Sequence, residues 1–382
     1  MISRAERTVF GEWWWTVDRL LLSALFGLML AGIVLSLAAS PAVAHRIGLD
    51  TFHFVNRQVF FLIPATIVLI ATSFLSPYWI RRLAFVAFLG SLVLVVATLF
   101  IGAEIKGARR WLNFAGIGLQ PSEFLKPAFV VLAAWLFAES AKRPEMPANL
   151  LAMLLLGATV TPLVLQPDVG QTSLITAVWA ALFFMAGMRW LWVFGLAGVG
   201  AAGIVGAYFT FPHVRRRIDK FMEPGTADTF QVDVAIDAFQ QGGWFGKGPG
   251  EGTVKRIIPD SHTDFIFAVA AEEFGAILCL VIIALFAFVV LRSLNHAQRD
   301  EDPFCRFAVA GLAMLFGLQS CINLMVNLHL IPPKGMTLPF VSYGGSSLIA
   351  LAFGMGMLIA LTRRRPRAET LAELTHYQTR RA

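Results

Sequence analysis

A polytopic all-α membrane fold of about ten transmembrane helices is predicted by three properties of this chain. Of its 382 residues, 57% are hydrophobic and only 14% are charged, with a mean hydropathy of +0.69. Soluble domains carry about 25% charged residues, so a soluble fold is excluded. Apolar runs long enough to cross a hydrocarbon core of roughly 30 Å recur throughout. They fall at 20–40, 57–76, 82–102, 121–139, 149–166, 171–187, 191–211, 263–291, 304–330 and 338–362. The third property is the distribution of Lys and Arg between these runs, which sets orientation.

The first run follows charged residues and Trp13, Trp14 and Trp15, and lacks a small-residue cleavage site. It therefore reads as a retained helix behind an N-terminal segment, 1–19. Pro64, Pro127, Pro162 and Pro339 lie within apolar runs and predict kinks against neighbours or a cavity. Run seven carries Gly195, Gly198, Gly200, Gly203 and Gly206, the small residues that permit close helix packing. The ten runs make one membrane domain, 20–362, ahead of a polar tail, 363–382.

An even number of crossings puts both termini on one side. The segments on that side hold 17 Lys and Arg against 14 on the other. Seven of the 14 lie in the single long segment 212–262, and setting that aside leaves 17 against 7, which favours cytoplasmic termini. The net charge of +7 gives no reason to expect nucleic acid, because the cations sit at helix ends where topology and anionic headgroups account for them. Cys279, Cys305 and Cys321 match neither a disulfide framework nor a metal site, and the seven histidines form no metal-binding pattern.

Two outer segments exceed what a connector needs: 103–120 and 212–262. The second carries seven acidic and seven basic residues, so its formal charge is zero, and its interleaved apolar residues predict ordered, membrane-apposed structure. Its Gly242–Gly252 stretch lacks the Gly-Lys-Ser/Thr ending of a phosphate loop and reads as a loop that shapes a cleft.

Several polar residues near the outer side admit two readings each. Asp264 ends Ser261-His262-Thr263-Asp264, either a capping box or a carboxylate poised for chemistry where the loop re-enters the bilayer. Lys106, Arg109, Arg110 and Trp111 form either an interfacial anchor or a site for an anionic headgroup or pyrophosphate. Glu123 and Lys126, three apart on one helix, are either structural glue or a cavity lining. Asp168 marks a tight turn or a site, and Lys334 is the sole charge of the last outer loop. Ser342 opens a run of hydroxyls and glycines to Ser347, inside the tenth apolar run, suited to close packing or a cavity wall.

Taken together, Gly107–Trp111, Gln120–Pro127, Gln166–Gly170, His262–Phe265, and Pro333–Gly335 through Ser342–Ser346 resemble, in order, the motifs of the SEDS family of bacterial shape, elongation, division and sporulation proteins. Met336-Thr337-Leu338-Pro339 and Trp13–Arg19 are more similar to the division branch, as found in alphaproteobacteria, than to the elongation branch. The resemblance implies a peptidoglycan glycosyltransferase that polymerises lipid II on the outer face of the cytoplasmic membrane, concentrated at the division septum. It implies Asp264 as the catalytic residue. Arg109, Arg110, Trp111, Glu123, Lys126, Asp168, Lys334 and Ser342 are then the substrate-binding set. A general base with cations to stabilise the departing undecaprenyl pyrophosphate needs no resident metal or cofactor, although a divalent ion is left open. Family members work with class B penicillin-binding protein transpeptidases and other divisome proteins. Two other readings are a lipid II flippase, which the gathering of polar motifs on one side disfavours, and a non-enzymatic divisome scaffold.

Overall fold

The computed structural model of the chain describes residues 8–105, 108–114, 117–143, 145–187, 190–210, 212, 215, 219, 230–332 and 335–363. A short helix, α1 (Val9–Thr16), precedes the first apolar helix, α2 (Arg19–Arg46). Then follow α3 (His53–Ser73), α4 (Pro77–Ile101), α5 (Pro121–Lys142), α6 (Ala148–Leu165), α7 (Val169–Met185) and α8 (Trp190–Thr210). Helix α9 (Phe230–Gly242) belongs to the long segment, and α10 (Ile266–Arg299), α11 (Pro303–Asn327) and α12 (Gly345–Leu361) complete the chain. Among the described residues, seven helices (α2 to α6, without gaps, with α10 and α11) are long and apolar enough to cross a membrane. The shorter apolar α7 and α12, together with α8, bring the number to the ten expected.

Side-chain contacts sort the helix ends onto two faces. On the terminal face Trp13 Nε1 donates to Ser73 Oγ at 2.8 Å, and Arg363 donates to Thr16 Oγ1 and to the carbonyls of Ser73 and Phe74. Asp18 there caps α2, its Oδ1 accepting from Leu20 N and Leu21 N at 3.1 Å each, while its Oδ2 lies 2.6 Å from both Arg292 Nε and His296 Nε2. Burial alone raises the Asp18 carboxyl, but these bonds more than offset it and hold it below the usual carboxylate range. The opposite face gathers the described parts of 46–53, 102–120, 166–168, 230–265 and 328–344.

Helices α5 and α11 form the centre of the bundle, with Ala128 to Val131 and Ala308 to Ala310 essentially fully buried. Glycine allows α12 to approach its neighbours. A Cβ on Gly356 would collide with Thr72 Oγ1 of α3, and one on Gly354 would lie 3.1 Å from Pro127 of α5. The glycines of α8 behave otherwise. A methyl group at Gly195, Gly198, Gly200, Gly203 or Gly206 would meet nothing within 4 Å among the described residues, so the close packing expected of them is not present.

Two helix starts differ from expectation, and the segment 103–119 is, as expected, more than a connector: strands β1 (Ala103–Ile105), β2 (Ala108–Phe114) and β3 (Ile117–Leu119) form an antiparallel sheet in that order. Leu112 pairs with Leu119 and Trp111 with Ala103, so short pairings satisfy the backbone where the chain leaves the bundle. The tenth helix begins at Gly345 rather than 338, leaving Pro339 and Ser342 in a buried non-helical segment. Phe340 there has φ of 62°, and a Cβ on Gly32 of α2 would collide with its carbonyl oxygen. The eighth helix begins at Ile266 rather than 263 and is broken at Gly275, with φ 78° and ψ −179°.

The break in α10 is filled by the glycine-rich loop. Lys247 N donates to Glu272 O at 2.9 Å and Gly248 N to Glu273 O at 3.0 Å, while Ala276 N and Ile277 N donate to the carbonyls of Gly243 and Trp244. The loop thus replaces the intrahelical bonds that the kink removes. Two fully buried carboxylates fasten it further. Glu272 accepts from Thr253 N, Val254 N and Lys255 N at 2.6 to 2.8 Å. Glu273 accepts from Gly250 N at 3.0 Å and pairs with Lys255 Nζ, which also donates to Ala38 O of α2 at 2.8 Å.

This geometry forbids any side chain at Gly275, whose Cβ would collide with Gly246 N and Trp244 O at a φ of 78°. Gly275→Ala is expected to destabilise by about 3 kcal/mol or more. Gly203→Ala, in open helix, is expected to be neutral or stabilising by up to about 1 kcal/mol. Melting midpoints of the detergent-solubilised variants check both, and a Gly275→Ala midpoint equal to wild type would contradict the account of the kink.

Candidate functional site

Asp264 sits where the 259–265 turn meets α10. Asp260 has φ of 54°, and its carbonyl accepts from Thr263 N at 3.0 Å and Thr263 Oγ1 at 3.1 Å. This turn uses up the residues that the capping reading required. The helix starts at Ile266, its cap Phe265 makes no side-chain bond, and the buried Ser261 Oγ has no partner among the described residues. Ser261 lies too far before the first helical residue to cap it, so the capping-box expectation is overturned. The half-buried Asp264 carboxylate points toward the last outer loop: a Cβ built on Gly335 would be 3.9 Å from Asp264 Oδ2. Lys334 itself lies outside the described residues, as does Lys106.

The backbone around Asp264 is held by α11. Asn323 Nδ2 and Asn327 Nδ2 donate to the Asp264 carbonyl at 3.0 and 2.9 Å. Asn323 Nδ2 also donates to Met336 O at 2.7 Å, and Gln319 Nε2 donates to Thr337 O at 3.2 Å. Ser342 completes the arrangement, accepting from Leu338 N at 2.8 Å and donating to Thr263 O at 2.6 Å. Ser342 is therefore a backbone clamp between the two irregular segments. His262 packs its ring 4.2 Å from Phe54 and 5.5 Å from Tyr343, and burial pushes its imidazole down to about 4.

A second polar cluster runs from Gln319 across the bundle. Lys126 Nζ lies 2.9 Å from Gln319 Oε1 and 2.9 Å from Glu123 Oε2, and Gln171 Nε2 donates to Glu123 Oε1 at 2.7 Å. Gln171 N in turn donates to Asp168 Oδ1 at 3.2 Å, which caps α7, and Arg110 Nε approaches Asp168 Oδ2 at 3.5 Å. Arg110 also donates to the carbonyls of Gln166 and Pro167. Burial raises the Asp168 carboxyl, opposed chiefly by the Arg110 guanidinium. Glu123, Lys126 and Gln319 line a small crevice whose remaining wall is apolar, including Leu315, Phe316 and Met355.

The expected binding residues thus separate into two groups. Arg110, Glu123, Lys126 and Asp168 join one network with Gln171 and Gln319, while Asp264 and Ser342 meet at the irregular segments. Of the described residues of the 106–111 cluster, Arg109 is exposed and faces Glu104 at 3.5 Å, and Trp111 packs over Gly118. Lys126 is only 2% exposed and neutralised by Glu123, so it belongs to the protein's frame before it meets any ligand. Gln319, Asn323 and Asn327 are absent from the residues that the sequence singles out. Their signal is three carboxamides at i, i+4 and i+8 within an apolar run, where polar groups are costly unless they are used. Among the described residues, no three His, Cys, Asp or Glu side chains cluster as metal ligands.

Residues 18–366 match the FtsW/RodA/SpoVE family, described as cell cycle proteins. The chain is 52% identical over 367 residues to the probable peptidoglycan glycosyltransferase FtsW of Caulobacter vibrioides, covering 96% of this chain and 94% of the relative. It is 34% identical to the protein of the same description in Trichlorobacter lovleyi, covering 90% of this chain and 93% of that one. Its fold is similar to a chain of a solved peptidoglycan synthase complex, studied for how it coordinates polymerization and crosslinking. The TM-score is 0.75 at 25% identity, and the likeness covers 91% of this chain and 97% of that one.

Two measurements probe the electrostatics of the site. Removing one partner of a buried ion pair strands the other, so Lys126→Met is expected to cost about 3–5 kcal/mol. Adding Glu123→Gln should recover roughly half of that loss, because the stranded carboxylate is gone. Denaturant or thermal unfolding of the single and double variants checks this, and additive losses would contradict a coupled pair. For His262, the folded state disfavours the proton, so stability is complete above the unfolded value of 6.5 and falls as pH drops through 6.5 toward about 4. Melting midpoints across that window should show a slope that His262→Phe reduces; an unchanged slope would assign it to other groups.

Proposed function

The chain belongs to the FtsW/RodA/SpoVE family of cell cycle proteins, and from that premise we propose that it is a peptidoglycan glycosyltransferase that polymerises lipid II during septal wall synthesis. The observation that carries the proposal to a mechanism is Asp264. Its carboxylate stands beside the 335–338 segment, while its own backbone carbonyl is fixed by two buried carboxamides. A carboxylate carried on backbone held in this way is suited to receive a proton at one place.

In the proposed reaction the acceptor sugar's 4-hydroxyl gives its proton to Asp264 as the hydroxyl oxygen bonds to the donor's anomeric carbon. The bond from that carbon to the pyrophosphate oxygen breaks, and undecaprenyl pyrophosphate leaves with the electron pair. A single displacement inverts the anomeric centre. Lys334, next in sequence to Gly335, and Arg109 on the exposed β2 strand are the cations proposed to meet the leaving group. Arg110, Glu123, Lys126, Asp168 and Ser342 are proposed to shape and hold the site, since their polar atoms are engaged mainly with protein, and Trp111 is proposed to do so through its packing over Gly118.

The ten apolar helices and the family match support a multi-pass protein of the inner membrane. Cytoplasmic termini, a periplasmic 212–262 segment and enrichment at the septum are proposed on the loop charges and the division-type relatives. The likeness to a synthase complex supports a working partnership with a class B penicillin-binding protein transpeptidase.

Asp264→Asn tests the chemistry. Asparagine keeps the size and hydrogen bonding of the side chain but cannot accept the proton, so glycan synthesis from labelled lipid II should fall about 100- to 10,000-fold in a folded, membrane-inserted protein. Ser261→Ala, which removes a buried hydroxyl without a partner among the described residues, should retain most of the activity. Full polymerisation by Asp264→Asn, measured on purified protein with and without its transpeptidase, would remove Asp264 from the mechanism.

A further inference from the structure

We propose that Asn323 is a positioning residue that sets the spacing between Asp264 and the 335–338 segment, with Asn327 and Gln319 holding the two segments on either side. This inference rests on the general-base reading of Asp264. It concerns a residue that touches neither the substrate nor the reacting atoms.

One nitrogen atom carries the argument. Asn323 Nδ2 donates to Asp264 O at 3.0 Å and to Met336 O at 2.7 Å, so its two N–H groups bridge segments 72 residues apart in sequence. The amide is 1% exposed and its orientation follows from its surroundings: it faces two carbonyl oxygens, which only the donor end satisfies. Asn327 Nδ2 repeats the contact to Asp264 O at 2.9 Å and lies 3.2 Å from Asn323 Oδ1, which it thereby holds in place. One turn of α11 in the other direction, Gln319 Nε2 donates to Thr337 O while its Oε1 accepts from Lys126 Nζ.

The three carboxamides therefore form a ladder on one face of α11, a continuous rigid helix, and two irregular backbones hang from it. Neither segment has a helix or sheet of its own to fix it at this point. The 335–338 stretch has no regular structure, and the 259–265 turn precedes the first bonded turn of α10. Preorganised charge acts on a reaction only when its distance to the reacting group is fixed. Here that distance, between Asp264 and the described segment that begins at Gly335, is set by the bridge at Asn323. Loss of the bridge should slow turnover while leaving the capacity to bind substrate, because the groups that contact substrate all remain.

Asn323→Leu is nearly isosteric and removes both donated bonds. In full-length protein with labelled lipid II, kcat per folded molecule should fall at least about tenfold while KM stays within about twofold. Asn323→Gln, which keeps the donor on a longer arm, should recover part of kcat. An unchanged kcat per folded molecule, or a loss explained wholly by raised KM, overturns the inference. Asp264→Asn measured alongside separates the two questions. If that variant turns over fully, the general-base reading fails; if it is inactive and Asn323→Leu is fully active, only the positioning role fails.

Discussion

A backbone carbonyl or amide without a partner costs several kcal/mol in an apolar interior, and the whole loop face of this protein is arranged around that penalty. Helices satisfy their own backbones, but the two segments that matter most, 259–265 and 335–344, are not helical. Their carbonyls are met instead by side chains: Asn323 and Asn327 at Asp264, Asn323 at Met336, Gln319 at Thr337 and Ser342 at Thr263. The requirement to pair the backbone and the requirement to fix the position of Asp264 are met by the same few bonds.

The break in α10 obeys the same rule with the roles reversed. There a loop supplies backbone groups to a helix that has lost its own, and two adjacent buried glutamates collect four further amides from residues 250–255. Lys255 neutralises one of them and reaches Ala38 O of α2. A segment that is extramembrane by sequence is thereby built into the bundle, and the turn that carries Asp264 inherits its footing from it.

Much of this is legible in the sequence because membrane helices announce themselves by length and apolarity, and each of the ten apolar runs contains a helix, most with ends only a few residues off. The larger differences have physical causes. Residues 338–344 are apolar enough to read as helix, yet Phe340 adopts φ of 62° because Gly32 gives its carbonyl room, a tertiary fact that no local pattern records. The Ser261–Asp264 pattern fits a capping box, but the positive φ at Asp260 commits those residues to a turn. The motif residues that stand out as site candidates are polar for good reason, but nothing local distinguishes those already occupied by protein. Arg110 reads as a cation awaiting an anion and is held by the 166–168 turn, whereas Lys126 makes the pairing with Glu123 that their spacing of three allows. The carboxamides of α11 are harder to see because asparagine and glutamine carry no charge to attract notice.

The bonds that hold Asp264 also impose an order of events on biosynthesis. The 259–265 turn leaves the ribosome well before Asn323 and Asn327, and before Ser342 and Tyr343, whose groups bond Thr263 O and His262 O. Earlier still, Gln120 N waits for Ser346 Oγ, a partner 226 residues downstream. Chains emerge and pack from the N-terminus onward. A nascent chain therefore leaves the Asp264 turn without these partners until its final hairpin has inserted, so this part of the loop face and completed assembly arrive together.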